Sequence, residues 1–262
     1  MEDKSEENKL RAFLDSYENY LRNSYLELWE SVKIDPNKLD SYSVIGILLS
    51  RQVTLSMELA KAPTNWTGHS APLFLRAMTD LHIALSWIML DMEDRARKYI
   101  LHGLGEEKLL IEHYKNLLEE DPKNEDREDI EKLIEIKTLW IESQRREFLV
   151  EVDLGNWSRL DYRKMSIEAG CESLYKFAYK PFSHASHNMW PHVSVYNGRH
   201  CMNPLHRHHF IPELLEFSLD MDYLYRSCKY VDKAYELFVE KFSIELEHPL
   251  PLDWWYEYFE NE

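Results

Sequence analysis

The stretch Pro72-Leu-Phe-Leu-Arg76-Ala-Met-Thr-Asp80-Leu-His82-Ile-Ala-Leu-Ser-Trp-Ile-Met-Leu90 decides the fold. Ser70 and Ala71 lead into a proline in the first turn, a favoured way to begin a helix, and nothing after it breaks the pattern. The side chains are apolar nearly all round, which places this helix at the centre of a bundle rather than on its surface. Polar residues on such a helix stand out, and there are three of note: Arg76, Asp80 and His82. Arg76 and Asp80 lie four apart and can pair on one face.

Helical periodicity continues on both sides of that stretch. From about Glu6 to Val32, Leu10, Phe13, Leu14, Tyr17, Tyr20, Leu21, Tyr25 and Leu28 recur at steps of three and four, and Pro36 ends the run. Asp40 or Ser41 caps a second helix to about Ala60, and residues 62–69 form a connector rich in turn formers. Asp91 starts a fourth helix that bends near Gly103 and Gly105 and reaches Leu118. The acidic run 119–131 reads as a solvated turn, and Ile130–Val150 resumes the helical pattern, closing a long hairpin arm. After a break at Gly155–Trp157 comes a short helix, Tyr162–Ala169, then a helix from Cys171 in which Pro181 predicts a kink. Pro191–Pro204 reads as a loop, Pro212 to about Leu246 as a long helix, and the aromatic, acidic tail 249–262 as packing back on the bundle or onto a partner chain. The expectation is one all-α domain over 1–262, with no repeat, no Gly-rich phosphate loop and no strand.

Composition agrees. Only 7 glycines among 262 residues, with 44% hydrophobic, suit long helices. A formal charge of −16 excludes a general nucleic-acid-coating surface, though not a local positive pocket. Cys171, Cys201 and Cys228 are isolated and odd in number, which points to a reducing compartment. The polar start MEDKSEENK is no signal peptide, and the apolar segment Val44–Leu49 is far too short to span a bilayer. A soluble, cytoplasmic protein without a membrane partner is the expectation.

The chemistry concentrates in Leu174-Tyr-Lys-Phe-Ala-Tyr-Lys-Pro-Phe-Ser-His-Ala-Ser-His-Asn-Met-Trp190. Tyr175, Tyr179, Ser183 and His187 follow at intervals of four, so one helical face carries two phenols, a hydroxyl and an imidazole. Buried, these groups need hydrogen-bond partners. A constellation of Arg76, Asp80, Ser183 and His187 would supply an imidazole for proton exchange and a guanidinium for an anionic transition state. The same four residues equally suit a hydrogen-bond network that fixes helix register. A second candidate is Arg97-x4-His102; Arg199-x6-His206 matches a looser form of that spacing. A third is the histidine run His184, His187, His192, His200, His206, His208 and His209. It could ligate zinc or iron, but its irregular spacing reads better as a surface patch.

Leu75-Arg76-x-x-x-Asp80 with Trp87, Asp91, Arg97 and Tyr99, followed by the Tyr175–Tyr179–Ser183–His187 stripe, resembles the bacterial helical proteins grouped as domain-of-unknown-function family 5677. The resemblance runs from about Ser41 to Leu246. Those proteins are similar to the HEPN group of helical bundles, which includes ribonuclease toxins and antiphage effectors. The resemblance implies a HEPN-like bundle and a bacterial defence effector or toxin-like protein, plausibly a metal-independent ribonuclease that needs no cofactor. His187 or His102 would be its general acid/base and Arg76 or Arg97 its phosphate stabiliser. It also implies a homodimer, an RNA or nucleotide ligand and a partner protein. Asp80 stands where the family more usually has Glu, and the Arg/His signature of HEPN ribonucleases is missing from the start of the last bundle helix. A non-catalytic nucleotide-sensing or protein-binding module is the alternative, and a metal-dependent hydrolase using the histidines is a weaker one.

Overall fold

The computed structural model describes residues 2–144 and 157–260. The sequence readings at residues 145–150 and 155–156 fall outside the described residues. The chain forms two compact units, one of residues 1–90 and 162–262, the other of residues 91–161.

The larger unit is built on α1 (Glu2–Glu30), α2 (Leu39–Lys61) and α3 (Ala71–Leu90). As its composition requires, α3 is central: it packs against α2, against the late helix α9 (Asp222–Phe242), against α6 (Tyr162–Glu168) and against α7 (residues 172–186). Among the described residues it is also the one helix long and apolar enough to cross a membrane, a property the sequence reading assigned to no segment. Here its apolar faces are spent on neighbouring helices: Leu75, Met78, Ile83 and Leu85 are buried. Burial on this scale contributes about 1.5–3 kcal/mol per large side chain.

The interface of α1, α2 and α9 is partly polar. Tyr17 Oη lies 2.8 Å from Ser56 Oγ, which lies 2.9 Å from Ser227 Oγ, and Ser24 Oγ lies 3.2 Å from Tyr235 Oη. Gln52 Nε2 donates to the Tyr230 carbonyl at 3.0 Å. Hydroxyls in a core must pair with each other or with backbone, so these bonds hold the helices in register as well as together. The tail forms α10 (Pro251–Glu260) and folds back on the bundle, where Phe13 of α1 meets Trp255, Tyr258 and Phe259, each at 5.0 Å between ring centroids.

The smaller unit is a helical hairpin. Asp91 caps α4 (Met92–Glu120) by accepting from the Asp94 N–H. α4 runs without interruption through Gly103 and Gly105. Its partner α5 (Arg127–Ser143) is joined to it by Lys137 Nζ on Glu107 Oε2 at 2.6 Å. The acidic turn is shorter than 119–131, because Glu119 and Glu120 finish α4 and the run from Arg127 is already helical.

At Pro181, where a kink is expected, the helix of residues 172–186 (α7) runs on through the proline, and the turn before it is widened: Tyr175–Tyr179 is π-helical and the Lys180 N–H reaches the Tyr175 carbonyl. Widening a turn is one way a helix absorbs the proline's steric and hydrogen-bonding deficit. Residues 191–204 are not all loop. α8 (Trp190–Tyr196) leads into β1 (Gly198–His200), which pairs antiparallel with β2 (Phe210–Pro212), so the fold carries a small hairpin beside its helices.

The long helix expected from Pro212 begins only at Asp222. Leu214 is 95% exposed, so the apolar spacing of residues 213–221 does not face a core. This segment is held through its backbone instead: Glu213 N–H donates to the Asn197 carbonyl at 3.0 Å and Asp220 N–H to the Trp66 carbonyl at 2.8 Å. Ser243, at φ 52°, ends α9 in a left-handed turn. Next to Trp66, Gly68 lets the ring of Tyr196 approach the connector closely; a Cβ there would sit 1.9 Å from the ring. Gly68→Ala is therefore expected to cost about 1–3 kcal/mol, the usual penalty for overpacking, read as a lowered urea midpoint. An unchanged midpoint would show that Tyr196 moves freely.

Candidate functional site

α3 and α7 bring together four of the six residues singled out from the sequence. Arg76 is only 9% exposed. Its Nε donates to Ser183 Oγ at 2.8 Å, its Nη1 meets the Asp80 carboxylate, and its guanidinium carbon lies 3.5 Å from the centroid of the Tyr179 ring. Ser183 in turn donates to the Tyr179 carbonyl at 2.7 Å, the back-bond open to a serine inside a helix. Tyr175 stacks on Tyr179, with ring centroids 4.9 Å apart. In a regular α-helix two residues four apart are offset by about 40° around the axis.

Asp80 is the half-exposed member of the pair. Burial pushes its carboxyl up, against the pull of Arg76 and of His187, whose imidazole acts on it through space. Its Oδ1 is buried and has no hydrogen-bond partner among the described residues. His187 caps the end of α7 and is exposed. Exposure rises across the arrangement, from a buried, paired guanidinium, through a carboxylate with one oxygen spoken for, to an exposed imidazole.

Arg97 and His102 lie on α4, in the smaller unit, and are not brought together. Five residues apart on a regular helix, they are about 140° apart around its axis. Arg97 is exposed, while His102 is half-buried with Nδ1 lacking a hydrogen bond among the described residues. Arg199 is no better placed for an Arg/His pair with His206, because its Nε is held by Glu213 at 2.7 Å across the hairpin. Neither Cys171 nor Cys228 has the depressed pKa of a nucleophile. Burial pushes the Cys171 thiol up to about 11, and burial also raises that of Cys228.

The sequence reading missed two things. Tyr179 was part of the stripe but was given no role, although it lies directly against Arg76; an aromatic residue one turn before the serine was the available signal. The histidine run was treated as bystanders, yet the hairpin gathers Cys201, His206 and His209 into one cluster. Only the fold connects those three positions.

The sequence pattern of one family matches residues 42–203, more than half of the chain. The chain belongs to DUF5677, a family of unknown function. The match takes in the α3 and α7 residues of the site and ends within the hairpin loop, short of residue 246. No curated protein and no solved structure matches the chain.

Proposed function

We propose that this DUF5677 chain is a HEPN-like helical recognition module that binds a hydrogen-bond-donating ligand, with the nucleoside part of a nucleotide as the best fit. The observation that carries this reading is the buried Asp80 Oδ1, which has no hydrogen-bond partner among the described residues, on a carboxylate within electrostatic reach of the exposed His187. An unpaired buried acceptor costs about 1–3 kcal/mol, and a ribose hydroxyl or base amino group reaching it would recover that cost. Arg76 is a poor phosphate clamp, because Ser183 and Asp80 already occupy its Nε and Nη1. Its place in the module is to hold Asp80.

Catalysis is the second reading, favoured by the electrostatic coupling of Asp80 and His187. A carboxylate beside an imidazole can orient it as the general base for a ribose 2′-hydroxyl. With either reading go a cytoplasmic location, a partner protein, a role in bacterial defence, and association of two copies through exposed apolar positions such as Ile47, Leu73 and Leu90.

One experiment separates the readings. The full chain is incubated with tRNA in EDTA and, separately, with nucleosides and nucleotides in a thermal-shift series. The module predicts intact tRNA and a stabilising shift lost in Asp80→Asn and His187→Ala. Cleavage that disappears in His187→Ala would replace it with the ribonuclease. Neither shift nor cleavage would remove both and leave a structural network.

A further inference from the structure

The loop joining β1 to β2 carries a chelating set that the α3–α7 site does not use. Cys201, His206 and His209 offer one sulfur and two imidazoles whose donor atoms all lie within 4.8 Å of one another. The loop is shaped to do this. Cys201 N–H donates to the His209 carbonyl at 2.9 Å, extending the ladder one step beyond His200–Phe210 and setting the two residues face to face. His209 N–H donates to the His206 carbonyl at 3.2 Å, and His208, at φ 63°, turns the chain back in the left-handed region. Few non-glycine residues adopt that region, and a histidine there reverses the chain just before the second imidazole.

The spacing within the cluster fits a tetrahedral ion. Zn–S of about 2.3 Å and Zn–N of about 2.0–2.1 Å at a tetrahedral angle put sulfur and nitrogen about 3.6 Å apart. Cys201 Sγ and His206 Nδ1 are 3.5 Å apart. Ligation through Nδ1 leaves the ring proton on His206 Nε2, 3.3 Å from the Asn203 side-chain amide, which must then turn its oxygen towards the ring to accept it. His200 is turned away, its ring 4.1 Å from that of Phe210, so it does not compete.

We infer that this hairpin binds a single zinc ion through Cys201 Sγ, His206 Nδ1 and a ring nitrogen of His209, with the fourth position left to solvent. A thiolate with two imidazoles is a borderline-soft donor set, suited to Zn2+ over Mg2+ or Ca2+. On binding, the Cys201 S–H releases its proton to solvent and the sulfur ligates as thiolate. The ion would tie residues 201–209 into a rigid tip on which Met202 and Leu205 stand exposed. This inference is independent of the nucleoside reading, since none of its ligands belongs to the α3–α7 site.

The test uses the full chain purified in chelator and then freed of it. Zinc chloride alone is titrated by calorimetry, and cobalt(II) by absorption, where a sulfur-to-cobalt charge-transfer band reports the thiolate. The expected result is one equivalent of zinc and a cobalt band that vanishes in Cys201→Ser. Affinity should fall at least about ten-fold, the size of a lost ligand-level interaction, in His206→Gln and in His209→Gln, and stay unchanged in His184→Gln. Three results would overturn the proposal: no heat on adding zinc, a cobalt band that persists in Cys201→Ser, or equal affinity in all the histidine variants. Circular dichroism of each variant before titration confirms that the helices are intact.

Discussion

Arg76→Leu is expected to cost about 3 kcal/mol of stability, the low end of what removing one partner of a buried ion pair does. The low end applies because the Asp80 side chain keeps 31% of its surface exposed, so water recovers part of the loss. Asp80 would then sit without its cation, and Ser183 Oγ without its donor. Burial already pushes the Asp80 carboxyl up, and Arg76 is the larger of the two pulls opposing it. With that pull gone the carboxyl rises further, above its unfolded value. A raised folded pKa means that protonation stabilises the native state: the contribution is present at low pH and lost as pH rises through the folded value. The variant should therefore recover stability relative to the parent as pH falls from neutrality. Arg76→Leu/Asp80→Leu should regain most of the loss at neutral pH, since it leaves no uncompensated charge. Urea unfolding of the three proteins measures all of this. A double variant as unstable as Arg76→Leu would show that the guanidinium works through Tyr179 and Ser183 and not through Asp80.

That clamp was half legible in the sequence. Arg76 and Asp80 declare themselves by standing on an otherwise apolar helix, and the four-residue steps of Tyr179, Ser183 and His187 declare a second polar face. Helical periodicity settles which residues share a face but not which faces meet, so the α3–α7 contact had to come from the fold. Where periodicity failed, backbone pairing had taken over. Residues 213–221 carry helically spaced apolar side chains yet form no helix, and Trp66 and Asn197 hold their backbone instead. The hairpin at 198–212 is too short for alternation to register, and with it the Cys201–His206–His209 cluster stayed hidden. Pro181 announces a disturbed helix in the sequence, but not that the disturbance takes the form of a widened turn before it.

His82 gives the second large effect, and it depends on pH. It is buried on α3, its Nδ1 lacks a hydrogen bond among the described residues, and burial, with Lys233 of α9 adding to it, lowers its pKa to about 4. The unfolded chain carries the imidazole near its ordinary value of 6.5. Between those two values the unfolded state binds the extra proton, so stability rises with pH through that window and falls as pH drops from 6.5 towards 4. A difference of this size corresponds to ~3 kcal/mol. Acid also weakens the protein through Glu18 and Glu27, whose carboxyls are held low, while Asp80 and Asp232, held high, act in the opposite sense. His82→Leu isolates the histidine, because those groups are the same in both proteins. At neutral pH the variant should match or exceed the parent, since it trades an unpaired buried nitrogen for carbon. At pH 4 it should be more stable by most of the ~3 kcal/mol. Parallel stability–pH curves for the two proteins would mean that the imidazole is protonated, or reached by water, within the native bundle.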